Sequence, residues 1–164
     1  MSYKKEYYKI LGLLLERAKD YYKDRLVSVA VFGSVARGTF RPDSDIDVLI
    51  VAEGLPRGRR SRVEEFINGV EDPLEEELAR ERIRVAPELS PVIKTPEEVR
   101  KGSPLFLDMT EEVIILYDRE DFLKKYLEGF REKLRRLGAR RVKRGGGWYW
   151  ILKPDYRPGE IIEL

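Results

Sequence analysis

Apolar residues recur along the chain with two periods. Across residues 3–23, Tyr7, Ile10, Leu14, Ala18 and Tyr21 fall on one stripe of a helix, and Leu11, Leu15 and Tyr22 widen it. That stripe is expected to pack on a sheet. The period then changes. Leu26–Phe32 (LVSVAVF) and Ile46–Ala52 (IDVLIVA) are rich in Val, bounded by turn residues and apolar on both faces. Such runs predict strands covered by helices on each side. Helical spacing returns over 63–82, where Val63, Phe66, Ile67 and Val70 recur. Ser61 stands where a cap for that helix belongs, and Gly69 with Pro73 predicts a break or kink before residue 74. Residues 83–94 predict a third strand, which Pro87 and Pro91 restrict to an edge or a bulge.

Thr95-Pro96-Glu97-Glu98 predicts a helix start, with Thr95 as cap, Pro96 in the first position and Glu98 completing a capping box. Gly102 and Pro104 keep that helix short, 104–109 is an apolar helical turn, and 113–117 (VIILY) predicts another buried strand. Over 121–137, Phe122, Leu123, Tyr126, Leu127, Phe130 and Leu134 line one side of a helix that Gly138 ends. The tail, from Ala139, predicts two strands joined at Gly145-Gly146-Gly147. Strands mixed with helices give an α/β (α+β) chain. Its expected division is a core over 1–118 and a C-terminal helix and hairpin over 119–164, part of the same compact unit.

The stretch 26–52 carries the chemistry. A strand ends in Gly33-Ser34, a turn that favours Gly; Ser34 is expected to cap a short helix through Val35-Ala36-Arg37, with Gly38 ending it. A strand, a Gly-Ser turn and a helix N-terminus together make an anion site, because free backbone N–H groups point at the ligand. Arg37 adds a fixed positive charge beside it. Asp45 and Asp47 stand two apart at a strand start, so both carboxylates fall on one face. They repel unless a cation sits between them, and a hard ion such as Mg²⁺ takes such oxygens and completes its shell from substrate phosphates. A phosphate cradle with Mg²⁺ carboxylates points to phosphoryl or nucleotidyl transfer. A polar turn, with Asp43 and Asp45 capping local N–H groups, is the plainer reading of the same residues.

Gly33-Ser34, then ten residues, then Asp45-x-Asp47, within FGSVARG…PDSDIDVLIV, resembles the signature of the DNA polymerase β-like nucleotidyltransferase superfamily. The fuller string is similar to its small prokaryotic branch, the minimal nucleotidyltransferases; the strong match covers about a sixth of the chain. The resemblance implies a palm-like fold, a central mixed β-sheet flanked by helices with the C-terminal helix and hairpin appended. It implies that Gly33 and Ser34 hold the β and γ phosphates of a nucleoside triphosphate, ATP being favoured, with Arg37 assisting. It implies that Asp45 and Asp47 ligate Mg²⁺, for which Mn²⁺ can substitute. The superfamily carries a third carboxylate on a later strand; Glu88 is the candidate, facing the same way as Ser90. With Ser90 in that position instead, the chemistry is weakened or lost. Members of the branch act as antitoxins that transfer AMP to a tyrosine of a partner HEPN-domain toxin, which makes that acceptor the expected one. Small-molecule acceptors are the second enzymatic choice. The rival from another class is a binding module that neutralises a partner by contact, with poor or no catalysis.

Composition narrows the rest. The chain has no His and no Cys, which removes imidazole chemistry, disulfides and thiolate zinc sites and leaves carboxylates, Lys, Arg, Tyr and hydroxyls. Lys and Arg exceed Asp and Glu by only two over 164 residues, so whole-chain charge does not argue for nucleic acid. Two local clusters could. Arg57, Arg59, Arg60 and Arg62 follow the second strand, and Arg140, Arg141, Lys143 and Arg144 flank Trp148, Tyr149 and Trp150. The preferred readings are a solvated loop for the first and, for the second, Trp residues that cover the last helix while the basic groups stay solvated. Glu71, Asp72 and Glu75 to Glu77 are read as a solvated face. No apolar run is long enough to span a membrane, and the N-terminus lacks a cleavage signal, so the expected location is cytoplasmic. The absence of Gln, a single Asn (Asn68) and 38% charged residues fit a source from a hot habitat.

Overall fold

In the computed structural model, which describes residues 2–164, the long N-terminal stripe is helix α1 (Tyr3–Tyr22), with Tyr7, Ile10, Leu14 and Ala18 buried. Both Val-rich runs are strands with the expected bounds, β1 (Leu26–Phe32) and β2 (Ile46–Ala52). Between them lies the short helix α2 (Gly33–Arg37). This helix starts two residues earlier than the Ser34 cap requires. Phe32 occupies the cap position with no side-chain bond, so Ser34 is inside the helix and caps nothing. The next helix, α3 (Arg59–Phe66), likewise begins before Ser61, at Gly58.

The expected break at Gly69 and Pro73 is a π-helical turn, Ile67–Glu71, that joins α3 directly to α4 (Asp72–Arg80). Pro73 falls where the π turn runs into α4, and its missing N–H interrupts the ladder at that junction. Gly69 is needed for contact: a Cβ there would lie 2.2 Å from the Tyr21 ring. The acidic face of α4 is not wholly solvated, because Glu77 pairs with Arg17 of α1 at 3.4 Å.

The third strand, β3 (Leu89–Lys94), is shorter than the expected 83–94, and it is an edge strand as its prolines predict. It runs parallel to β2, while β1 pairs antiparallel with β2 and with β4 (Ile114–Asp118); the sheet order is β3-β2-β1-β4. Ile46 N–H donates to Glu88 O at 2.9 Å, so the peptide groups of Leu89, Pro91 and Ile93 face away from β2. That edge is blunted: Pro91 offers no N–H, and Arg62 Nη1 donates to the Ile93 carbonyl at 3.2 Å.

Helices cover both faces of the sheet. Val29, Val31, Val48 and Ile50 pack under α1, Phe66, Val70 and Leu74. Ala30, Leu49 and Val51 pack under α5 (Pro96–Lys101), α6 (Phe106–Met109) and α7 (Phe122–Leu137). The Thr95–Glu98 capping box forms as read. The hairpin is β5 (Arg140–Arg144) with β6 (Gly147–Ile151). Among the described residues no helix is long and apolar enough to cross a membrane.

Asp118, at the end of β4, ties the second face together. Its carboxylate accepts from buried Ser28 Oγ (2.7 Å) and from the first N–H groups of α7, Leu123 (2.8 Å) and Lys124 (2.9 Å). Asp118→Ala would leave the Ser28 hydroxyl unpartnered and the helix end uncapped. The expected loss is about 2–4 kcal/mol of unfolding free energy, measured by urea denaturation, with Asp118→Asn keeping a substantial part.

Candidate active site

The site forms where β1 ends and β2 begins. Phe32 is the register partner of Asp47, so the chain turning out of β1 passes directly over that carboxylate. Gly33 makes the turn with φ +71°, and a Cβ there would sit 2.2 Å from Asp47 Oδ2. Two independent demands therefore fix Gly33: a left-handed backbone and no room for a side chain. Ser34 is the next residue, and its carbonyl accepts from Thr39 N–H at 3.1 Å, which closes the loop after α2. Among the described residues the Ser34 hydroxyl has no hydrogen-bond partner within the chain.

Asp47 is half-buried and Asp45 exposed. Burial pushes the Asp47 carboxyl above its ordinary range, the Asp45 charge pushes it further, and Arg37 offsets part of the rise. The charges of Asp45 and Arg37 therefore both act on Asp47. A carboxylate pair under mutual repulsion, beside an open backbone turn, is a donor set that fits a hard divalent cation.

The third acid is placed differently. In the parallel β2–β3 pair, Ser90 is the register partner of Asp47. Glu88 precedes the strand on an exposed position. The Glu71 carboxyl is raised by burial, then by Glu75, Asp72 and Glu88, whereas the charges acting on Asp47 are Asp45 and Arg37. Among the described residues no three acids gather into a cluster that could hold a metal ion.

Residues of α1 outside the predicted site hold it in place. Tyr7, fully buried, donates its phenol to the carbonyls of Ser44 (2.5 Å) and Pro42 (3.2 Å), and Tyr3 donates to the Phe40 carbonyl (3.2 Å). The loop leading into Asp45 is therefore clamped by α1. Burial, then Asp43 and Asp45, push the Tyr7 phenol up, which keeps it a donor. Ser44 Oγ accepts from Arg41 N–H at 2.7 Å, so the turn is capped by Ser44 rather than by Asp43 or Asp45. Glu6, also buried, accepts from Arg84 N–H at 2.7 Å and fixes the chain entering β3. The signal for these was present: a Tyr or Glu on a buried stripe must find a polar partner.

A cleft of about 390 Å³ opens at the edge of β3, next to Ser90, lined by Arg59, Arg62, Pro91, Val92, Lys94 and Leu105 among others. Arg62 is not a solvated loop residue. It pairs with Glu98 at 2.7 Å and donates to Pro56 O at 2.7 Å.

Two outcomes follow from the Gly33–Asp47 contact. Gly33→Ala is expected to cost about 1–3 kcal/mol in stability, read by thermal unfolding, and to remove metal-dependent nucleotide binding. Asp47 has a raised folded pKa, so its ionisation opposes folding at neutral pH. Asp47→Asn should raise the Tm of the metal-free protein, each recovered kcal/mol moving it by about 2–4 °C. That gain should shrink as pH falls through the carboxyl range, because the wild-type group is then protonated in the folded state. A Tm unchanged or lowered at neutral pH would contradict the repulsion.

Residues 11–143 match the nucleotidyltransferase domain family. A Methanocaldococcus jannaschii relative described as a “putative protein adenylyltransferase” is 33% identical over 130 residues, 78% of this chain and 83% of its own length. Two solved structures are similar at low identity. One is a toxin–antitoxin with AMP-PNP (TM-score 0.48, 17% identical, 77% of this chain and 91% of that one). The other is a tri-AMPylated HEPN toxin with its MNT antitoxin from Shewanella oneidensis (TM-score 0.43, 16% identical, 84% and 93%). The matched span takes in β1, the Gly33 turn and both aspartates, and the chain belongs to the nucleotidyltransferase domain family.

Proposed function

We propose that this nucleotidyltransferase transfers an adenylyl group from ATP to a protein hydroxyl, with a tyrosine of a HEPN-domain partner as the favoured acceptor. The observation that carries the reading is the seating of the Gly33 turn on the Asp47 carboxylate with Asp45 beside it. The M. jannaschii relative's description supports AMP and a protein acceptor. The sequence resemblance to minimal nucleotidyltransferase antitoxins supports the partner.

In this reading Gly33 and Ser34 hold the β and γ phosphates through backbone groups and the Ser34 hydroxyl. Arg37 balances their charge. Asp45 and Asp47 would hold Mg²⁺, or Mn²⁺ in its place. Bound there, the ion supplies neutralisation of charge on the entering and leaving oxygens. The acceptor oxygen forms a bond to the α-phosphorus, the bond from that phosphorus to the bridging oxygen breaks, and pyrophosphate leaves. Glu88 is proposed as the third carboxylate, next to the attacking hydroxyl, whose proton it takes as the bond to phosphorus forms.

The lack of a three-acid cluster among the described residues favours a second reading, a binding module that neutralises its partner by contact. One experiment separates the two. Each α-labelled nucleoside triphosphate is offered with Mg²⁺ or Mn²⁺ to the protein and a native cell extract. Transfer predicts a labelled protein band from ATP that disappears with Asp47→Ala and falls by about 10²- to 10⁴-fold with Glu88→Gln. No label, together with a fixed co-purifying partner, would replace transfer by contact. Full transfer by Glu88→Gln would remove Glu88 from the site.

A further inference from the structure

The C-terminal ribbon departs from its expected role. Trp150 does pack on the helices of the second face, and its Nε1 donates to Asp108 at 3.0 Å. Trp148 does not: it is 47% exposed, and Tyr149 on the opposite ribbon face is 43% exposed. Beneath Trp148 the Arg141 guanidinium lies 4.1 Å from the ring centre and the Lys143 ammonium 5.9 Å from it, so the indole is held by cations while about half of it stays exposed. Arg141 is itself fixed. Its Nη1 donates to both oxygens of Glu112 (2.6 and 2.8 Å), and its Nε is 3.5 Å from Asp108.

Charge is concentrated here. Seven of the 32 Lys and Arg lie within residues 133–151, and none of the 30 Asp and Glu does. The rest of the chain is net acidic. Arg140, Lys143 and Arg144 are exposed, and none of them makes an ion pair among the described residues. The tip is bare: a Cβ on Gly146 or Gly147 would meet nothing, and neither needs a left-handed backbone, so nothing within the fold requires glycine there. The ribbon is anchored through Arg141 to Glu112, just ahead of β4. Ile114 is level with Val31, which puts Glu112, its anchor, near the level of Gly33.

We propose that the β5–β6 ribbon binds single-stranded nucleic acid, one base stacking on the exposed part of the Trp148 ring and the flanking phosphates meeting Arg140, Lys143 and Arg144 near the glycine tip. Aromatic rings interleaved with unpaired cations are the means by which single strands are held without sequence readout. An acidic peptide would use the cations and leave the rings idle. A membrane-inserting tip would carry apolar side chains where this one carries glycine. The proposal is independent of adenylyl transfer and uses none of the residues assigned to it.

The test is titration with a uridine oligomer of about 12 nucleotides, within the range of known single-strand sites. The chain has two Trp, so stacking on Trp148 should quench intrinsic fluorescence saturably. Excess Mg²⁺-ATP should not displace the oligomer. Three phosphate contacts give an expected log–log salt slope of about −2, falling to about −0.7 in Lys143→Ala/Arg144→Ala. By anisotropy of a labelled oligomer, Trp148→Ala should weaken binding by about tenfold or more. Trp148→Phe should recover most of it, with Mg²⁺-ATP binding unchanged in both. The proposal is overturned by absence of binding at low salt, by wild-type affinity in Trp148→Ala and the double variant, by displacement with Mg²⁺-ATP, or by equal binding of polyglutamate or anionic vesicles.

Discussion

The contact on which the site depends is a backbone passing over a carboxylate. Gly33 comes so close to Asp47 that a single carbon added there would overlap the carboxylate oxygen. The register of β1 against β2 sets that approach, because Phe32 and Asp47 are paired. The register in turn is held by the β1–β2 ladder and by Tyr3 and Tyr7, which clamp the loop between the two strands. Packing of the whole sheet is thereby converted into the position of one carboxylate relative to one turn.

Helix α1 makes this precise in a second way. Its lower stripe supplies core, and its first two turns supply polar anchors. Tyr3 and Tyr7 hold the carbonyls of the 40–44 loop, and Glu6 holds the backbone of Arg84. The chain segments entering β2 and β3 are therefore bound to the same helix. Asp45 and Asp47 lie just after the first clamp, while Glu88 lies four residues after the second and ahead of its strand.

Much of this was legible in the residues. The two inner strands, the Thr95 capping box, the edge character of β3, the Gly138 stop and the glycine hairpin all followed from local chemistry, which tertiary packing did not override. The misses have physical causes. Ser34 and Ser61 look like caps, yet neighbouring glycines let each helix begin earlier. The apparent break at Gly69 is a π turn, because Gly69 is there to admit the Tyr21 ring, a contact distant in sequence. The strand at 83–94 lost its first half because only residues in register with β2 gain ladder bonds. Tyr7 reads as a stripe residue and Glu6 as part of the polar remainder of its helix, since periodicity reports apolar burial and is silent on which partner a buried phenol or carboxylate will find. Whether an acid or Ser90 lies beside Asp47 depends on the parallel register, which no local pattern specifies.

The most direct measurement is calorimetric titration of AMP-PNP with and without Mg²⁺, on the wild type, Asp45→Ala and Asp47→Ala. A metal and nucleotide site built on the Gly33 turn and the paired aspartates predicts binding that requires Mg²⁺ in the wild type and is lost in both variants while their folds remain intact. Affinity that is independent of Mg²⁺, or unchanged in both variants, would contradict it.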